Sequence, residues 1–167
     1  MTNRIAARAL AVLALSCGVL ALGACGEPSA SDAEETARDF ILAFVDSDGE
    51  RACSYMSDEA TAKLEGWIKE EKGTALFGDE CSEIVSKLGD LLQEGYDEEK
   101  LERVVEQVKK PGKVKIEGNR AEVEFPGDSD VAVLVRDGGS WKVSSEVVDE
   151  WIEDGSDEES DASSLSE

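Results

Sequence analysis

The sequence predicts an α+β fold in which helices, occupying the first two thirds of the chain, pack on an antiparallel sheet of about four strands. Two observations carry this expectation. Apolar residues recur at helical spacing as far as Pro111-Gly112, and beyond that pair the period of the apolar pattern falls from 3.6 to 2. Helices followed by strands, rather than alternating with them, are the mark of an α+β domain. A third observation bounds the size: 167 residues, 41% of them hydrophobic and only 5% aromatic, supply one aliphatic core and room for one domain.

The first 24 residues read as a signal peptide. Arg4 and Arg8 form a basic start, and residues 9–22 form an apolar run interrupted by Ser16, Cys17 and Gly18. The run is short for a membrane span of about 20 residues. It ends in Leu22-Gly23-Ala24-Cys25, which resembles the bacterial lipobox. Small residues ahead of the scissile bond suit a membrane-embedded peptidase, and the thiol supplies the nucleophile for diacylglycerol transfer. Cys25 is therefore the expected lipidation site and first residue of the mature chain. Two or three acyl chains, at about 0.8 kcal/mol per buried methylene, give a stable anchor. Residues 25–31 are small and polar, as a flexible tether should be.

The folded domain is expected over residues 32–152. Ser31 and Glu34 have capping-box spacing, and Ala33, Ala37, Phe40, Ile41, Phe44 and Val45 lie on one helical face, so residues 33–46 should be a helix. A short helical piece at 51–56 holds Cys53. Ala60, Leu64, Trp67 and Ile68 mark the next helix, and Ile84, Val85, Leu88, Leu91 and Leu92 another with Cys81 in its first turn. Leu101, Val104, Val105 and Val108 trace a further face that Pro111-Gly112 stops. Val114 and Ile116, then Ala121, Val123 and Phe125, alternate about Gly118-Asn119 as a hairpin. Residues 131–135 are almost continuously apolar, as a central strand would be, and Asp137-Gly138-Gly139 turns the chain into a strand at 140–144. Val147, Val148, Trp151 and Ile152 predict a closing helix. Residues 153–167, acidic and serine-rich without a basic residue, predict a disordered tail.

Charge and cysteine usage narrow the function classes. With 17 basic and 39 acidic residues the formal charge is −22, and a polyanion repels phosphate backbones, which excludes nucleic acid as a partner. Loss of residues 1–24 removes two arginines and leaves −24, so the domain should stand off anionic lipid on its tether. Histidine is absent, which removes imidazole-based catalysis, imidazole metal sites and the usual pH switch. Of four cysteines, Cys17 leaves with the signal and Cys25 takes lipid, so Cys53 and Cys81 remain as the expected disulfide of an oxidising compartment. The alternatives are a free buried pair or a redox site, and no Cys-x-x-Cys spacing favours the latter. A calcium loop over Asp46-Ser47-Asp48-Gly49 fails on register, because Gly49 at position six puts Phe44 and Tyr55 at positions one and twelve. Gly127-Asp128-Ser129-Asp130 reads as a turn between strands. Trp67, Trp141 and Trp151 fall on apolar faces and read as core residues.

Over residues 33–145 the chain resembles small actinobacterial lipoproteins with a cystatin-like, or ketosteroid-isomerase-like (nuclear-transport-factor-2-like), cone fold. The residues that carry it are ARDFILAFVDSDGERACSYMSDEATAKL, with its Asp-Gly break, cysteine and Ser-Asp-Glu-Ala restart, and the ending VKIEGNRAEVEFPGDSDVAVLVRDGGSWKVSS. The resemblance implies a curved sheet wrapped against helices, with a pocket at the open end of the cone. The helix-like stretch 146–152 departs from that pattern and is expected to plug or cover the pocket. Enzymes of this fold use a carboxylate base against an apolar wall, often beside a tyrosine or second acid. Asp39, Tyr55, Asp58 and Tyr96 are the candidates on that count. Their plainer readings are a solvated helix face for Asp39, a cap near Glu59 for Asp58, and core rings with surface hydroxyls for the tyrosines. The expected function is that of a lipid-anchored, extracytoplasmic, non-enzymatic binding or accessory domain on the outer face of the bacterial cytoplasmic membrane. It needs no cofactor or metal, and binds a small apolar ligand or another envelope protein. The alternatives are a pocket enzyme of the isomerase or cyclase type and a structural accessory domain with a filled cone.

Overall fold

The computed structural model describes residues 29–72, 74–127 and 131–157, so the signal segment, Cys25, Asp128 to Asp130 and the tail from residue 158 lie outside the described residues. The fold is α+β, as the change of period requires. Six helices lead: α1 Ala30–Val45, α2 Gly49–Tyr55, α3 Asp58–Trp67, α4 Thr74–Phe77, α5 Cys81–Gly95 and α6 Glu98–Val108, with a π-helical turn Ile68–Lys72 extending α3. Strands β1 Lys113–Glu117, β2 Arg120–Glu124, β3 Val131–Asp137 and β4 Ser140–Val143 follow, and α7 Ser145–Asp157 ends the described chain. Helix α7 thus continues five residues past the boundary drawn for the acidic tail.

Two helix starts differ from expectation for tertiary reasons. The capping box of α1 is built by Ser29 and Asp32, not Ser31 and Glu34: the Asp32 amide donates to Ser29 Oγ at 3.2 Å and the Ser29 amide to Asp32 Oδ2 at 2.6 Å. The carbonyl of Ser29 also accepts from Trp141 Nε1 at 3.1 Å, which ties the cap to β4 and begins the helix inside the stretch assigned to the tether. Helix α3 is capped by Ser57 rather than Asp58. Ser57 Oγ accepts from the Ala60 amide at 3.1 Å, while the buried Ser57 backbone donates to the Val143 carbonyl at 3.0 Å.

The sheet is an open antiparallel meander, β1-β2-β3-β4. Ile116, Ala121, Leu134 and Val143 stand in register across its core face, and α1 crosses all four strands on that face with Ala33, Ala37, Phe40 and Ala43 buried. The β3–β4 turn places Gly138 and Gly139 at φ 55° and 88°, the double positive φ that a two-residue hairpin turn needs. A parallel bridge from Met56 to Val143 closes the β4 edge. Among the described residues nothing pairs with the β1 edge, which carries Lys113 and Lys115, charges that discourage strand addition.

Helices α2 and α5 pack on each other and on α1. The approach is so close that a Cβ on Gly49 would lie 1.9 Å from the Ser82 carbonyl oxygen, and one on Gly89 2.6 Å from that of Phe44. This contact centres α5 on Ile84, Val85, Leu88 and Gly89. Leu91, expected on the same buried face, is 52% exposed.

Candidate functional site

Helix α7 is the closing helix that the sequence anticipates over residues 147–152. It lies against α3 and β3, and its Val148 is fully buried. Its Trp151 ring stacks on Phe40 at 6.2 Å and meets Phe44 at 5.3 Å, so the aromatic pair on the C-terminal half of α1 is covered by the closing helix. Trp141 is buried as well, and Trp67 is half-buried against the core.

Of the four candidates for acid–base chemistry, the fold brings two together. Asp39 on α1 and Tyr55 on α2 are 16 residues apart, and the Tyr55 hydroxyl donates to Asp39 Oδ2 at 3.0 Å. Arg51, one turn before Tyr55, completes the group. Its Nη2 is 3.6 Å from Asp39 Oδ1, and its hydrogen bond with Tyr55, aided by Asp39 and Asp48, raises the guanidinium pKa above its usual value. Arg51 escaped the sequence reading, although its four-residue spacing from Tyr55 on a helix was a signal. Asp39 and Tyr55 border a surface cleft of about 370 Å³ with Asp32, Glu35, Thr36, Ser140 and Trp141. Carboxylates and hydroxyls share its walls with Trp141, so Asp39 does not face the wholly apolar surface that a carboxylate base of the implied kind uses. The hydroxyl proton and the carboxylate already satisfy each other. Asp58 is an exposed first-turn residue of α3, and Tyr96, at the end of α5, lies under the Lys100 ammonium at 3.8 Å from the ring centre. Neither joins Asp39.

Cys53 on α2 and Cys81 at the start of α5 are joined in a disulfide with Cα atoms 6.2 Å apart, and so staple the two helices that Gly49 allows to touch. The Met56 sulfur lies 3.8 Å from that of Cys81, filling the space behind the bond. The Asp46 to Gly49 segment is the α1–α2 connection: Asp46 ends α1, Ser47 takes φ 56°, and Asp48 Oδ1 caps α2 by accepting from the Arg51 amide at 3.1 Å. Among the described residues no cluster of carboxylates or thiols is arranged to hold a metal ion, and no helix is long and apolar enough to cross a membrane.

A larger groove, about 640 Å³, opens between α4, the start of α2 and the first turns of α5. The sequence reading passed over it. Leu76 and Phe77 stand on its wall, Leu76 with 72% of its surface in solvent. No family model, curated protein or solved structure matches the chain.

Proposed function

We propose that the protein is a lipid-anchored, extracytoplasmic binding or accessory domain of the bacterial cell envelope, of the cystatin-like type, that works by docking rather than by catalysis. The observation that carries the reading is Leu22-Gly23-Ala24-Cys25 at the end of an apolar run, four residues ahead of Ser29, where the folded domain begins. A chain lipidated at Cys25 holds its domain within about 14 Å of the bilayer surface at full stretch. The Cys53–Cys81 disulfide supports the same compartment, because such bonds persist outside the reducing cytoplasm. Helices followed by a four-stranded antiparallel sheet support the cystatin-like type. The stacking of Trp151 on Phe40 favours a protein partner over a small apolar ligand, since the aromatic face of α1 is already occupied.

The test is the mass of the protein extracted from bacterial membranes. Wild type should carry a diacylglyceryl group on an N-terminal Cys25, and Cys25→Ser should carry none. A wild-type chain with an unmodified Cys25 thiol, free of the membrane, refutes the anchor.

The pairing of Asp39 with Tyr55 favours a second reading, a small pocket enzyme of the isomerase or cyclase type with Asp39 as base and Tyr55 as donor. Native mass spectrometry of the protein purified from its own cells separates the two. A co-purified small molecule that Asp39→Asn loses supports the enzyme, and a bare chain supports the docking domain.

A further inference from the structure

We propose that the groove between α2, α4 and α5 is the docking site for a basic, leucine-bearing or phenylalanine-bearing segment of another envelope protein. The inference rests on the reading of the protein as a binding domain and names the chemistry of its partner. Three properties of the groove support it. Its volume of about 640 Å³ accommodates a few side chains of a bound segment. Leu76 is 72% exposed on α4 and takes no part in the main core, whereas Phe77 beside it on the same helix packs against that core. An exposed leucine at the mouth of a groove is the kind of apolar anchor point that a partner desolvates.

The third property is charge. Asp48, Glu50, Glu83 and Asp90 line the groove, and Lys87 on the same wall is already paired with Asp90 at 3.7 Å. These acids share the groove with the apolar anchor, so an occupant is favoured by positive charge along with its apolar side chain. Three other occupants are disfavoured by the same electrostatics. A second copy of this chain, at −22, would set acidic rim against acidic rim; residues 158–167 are themselves acidic; and an anionic lipid headgroup has the wrong sign. A basic protein segment is what remains, its cations on the rim and its apolar side chain against Leu76 and Phe77.

The experiment uses the full chain in its own cells, with a photo-crosslinking phenylalanine analogue in place of Leu76 and, as a control, the same analogue in place of Ile116 on the open edge strand. Irradiation should join position 76, and not position 116, to a segment of net positive charge identified by mass spectrometry of the adduct. Neutralising the rim with Asp48→Asn, Glu50→Gln and Asp90→Asn together should lower the yield about tenfold, the effect of a few surface charge pairs acting at once. Asparagine at position 48 retains the cap of α2, so that variant remains folded. No adduct, an adduct with an acidic or neutral segment, an adduct with this same chain, an equal yield from position 116, or an undiminished yield after neutralisation overturns the proposal. Failure of lipidation at Cys25 with a basic adduct at position 76 would remove the anchor and leave the docking site standing.

Discussion

Helices α2 and α5 on one side and α4 and α6 on the other all carry apolar side chains, yet the fold treats the two pairs oppositely. Between α2 and α5 the backbone of one helix approaches the other where Gly49 permits, the Ser86 hydroxyl accepts from the Gly49 amide at 3.1 Å, and a disulfide closes the contact, while Gly89 lets α5 approach the end of α1. Helices α4 and α6 sit at the margin. Leu76 on α4 and Leu101 and Val105 on α6 are absent from the main core, and a hollow of about 480 Å³ runs along the outer side of α6 beside Glu98, Glu102 and Glu106. The lesson is that one layer of this molecule is fixed by backbone proximity and a covalent link, while the other keeps apolar side chains available at the surface. Stability should reside in the first and recognition in the second.

Breaking the covalent link tests this division most severely. Replacing Cys53 and Cys81 together by alanine should lower unfolding stability by about 3 to 4 kcal/mol in urea titrations, the chain-entropy value for a loop of this length. A loss below about 1 kcal/mol would mean that close packing alone holds α2 to α5. Next in size, Gly49→Ala should cost about 2 to 3 kcal/mol, since its methyl would have to displace the Ser82 backbone. By contrast, Leu76→Ser at the margin should change stability by no more than about 0.5 kcal/mol. If it destabilised as strongly as Gly49→Ala, the two layers would not differ.

The smallest expected effect is a local one with pH. Hydrogen bonds from the Ser29 amide and, secondarily, its hydroxyl hold the Asp32 carboxyl below the usual aspartate value, and Arg120 does the same for Glu122. A carboxyl with a lowered folded pKa stabilises the fold fully above its unfolded value, near 3.9 for aspartate, and that contribution disappears as pH falls through the folded value. The protection of the amides at the start of α1, the exchange rate divided into the intrinsic rate at the same pH, should therefore stay level from about pH 8 to 5 and fall only below about pH 4. With no histidine in the chain, a transition near pH 6.5 would contradict this account. The local readout matters because protonating 39 acidic groups also relieves self-repulsion across the whole domain.

Much of the architecture was legible before any coordinates. Apolar spacing marks α1, α3, α5, α6 and α7, strict alternation marks β1 and β2, and glycine pairs mark the turn into β4. The α4 helix and the π-helical turn before it carry no such signal, because a few residues do not establish a period. The candidate site was half legible. Asp39 and Tyr55 could be named by residue type, but their contact depends on how α1 and α2 rest together, and Arg51 enters only through that geometry.

What the sequence determined by itself is mostly what acts within a turn of helix or a pleat of strand: long helices first and strands after, and beside them the Cys53–Cys81 pairing and a formal charge of −22. Tertiary structure decided which of two serines caps α1, through the Trp141 hydrogen bond to the Ser29 carbonyl. It decided that Trp151 covers Phe40 and Phe44, and that Leu76 and Leu91 remain in solvent although their residue type favours burial. Local patterns follow from backbone hydrogen bonding and side-chain spacing, whereas the face that a helix finally buries depends on how closely its neighbours can approach, here set by glycines on α2 and α5.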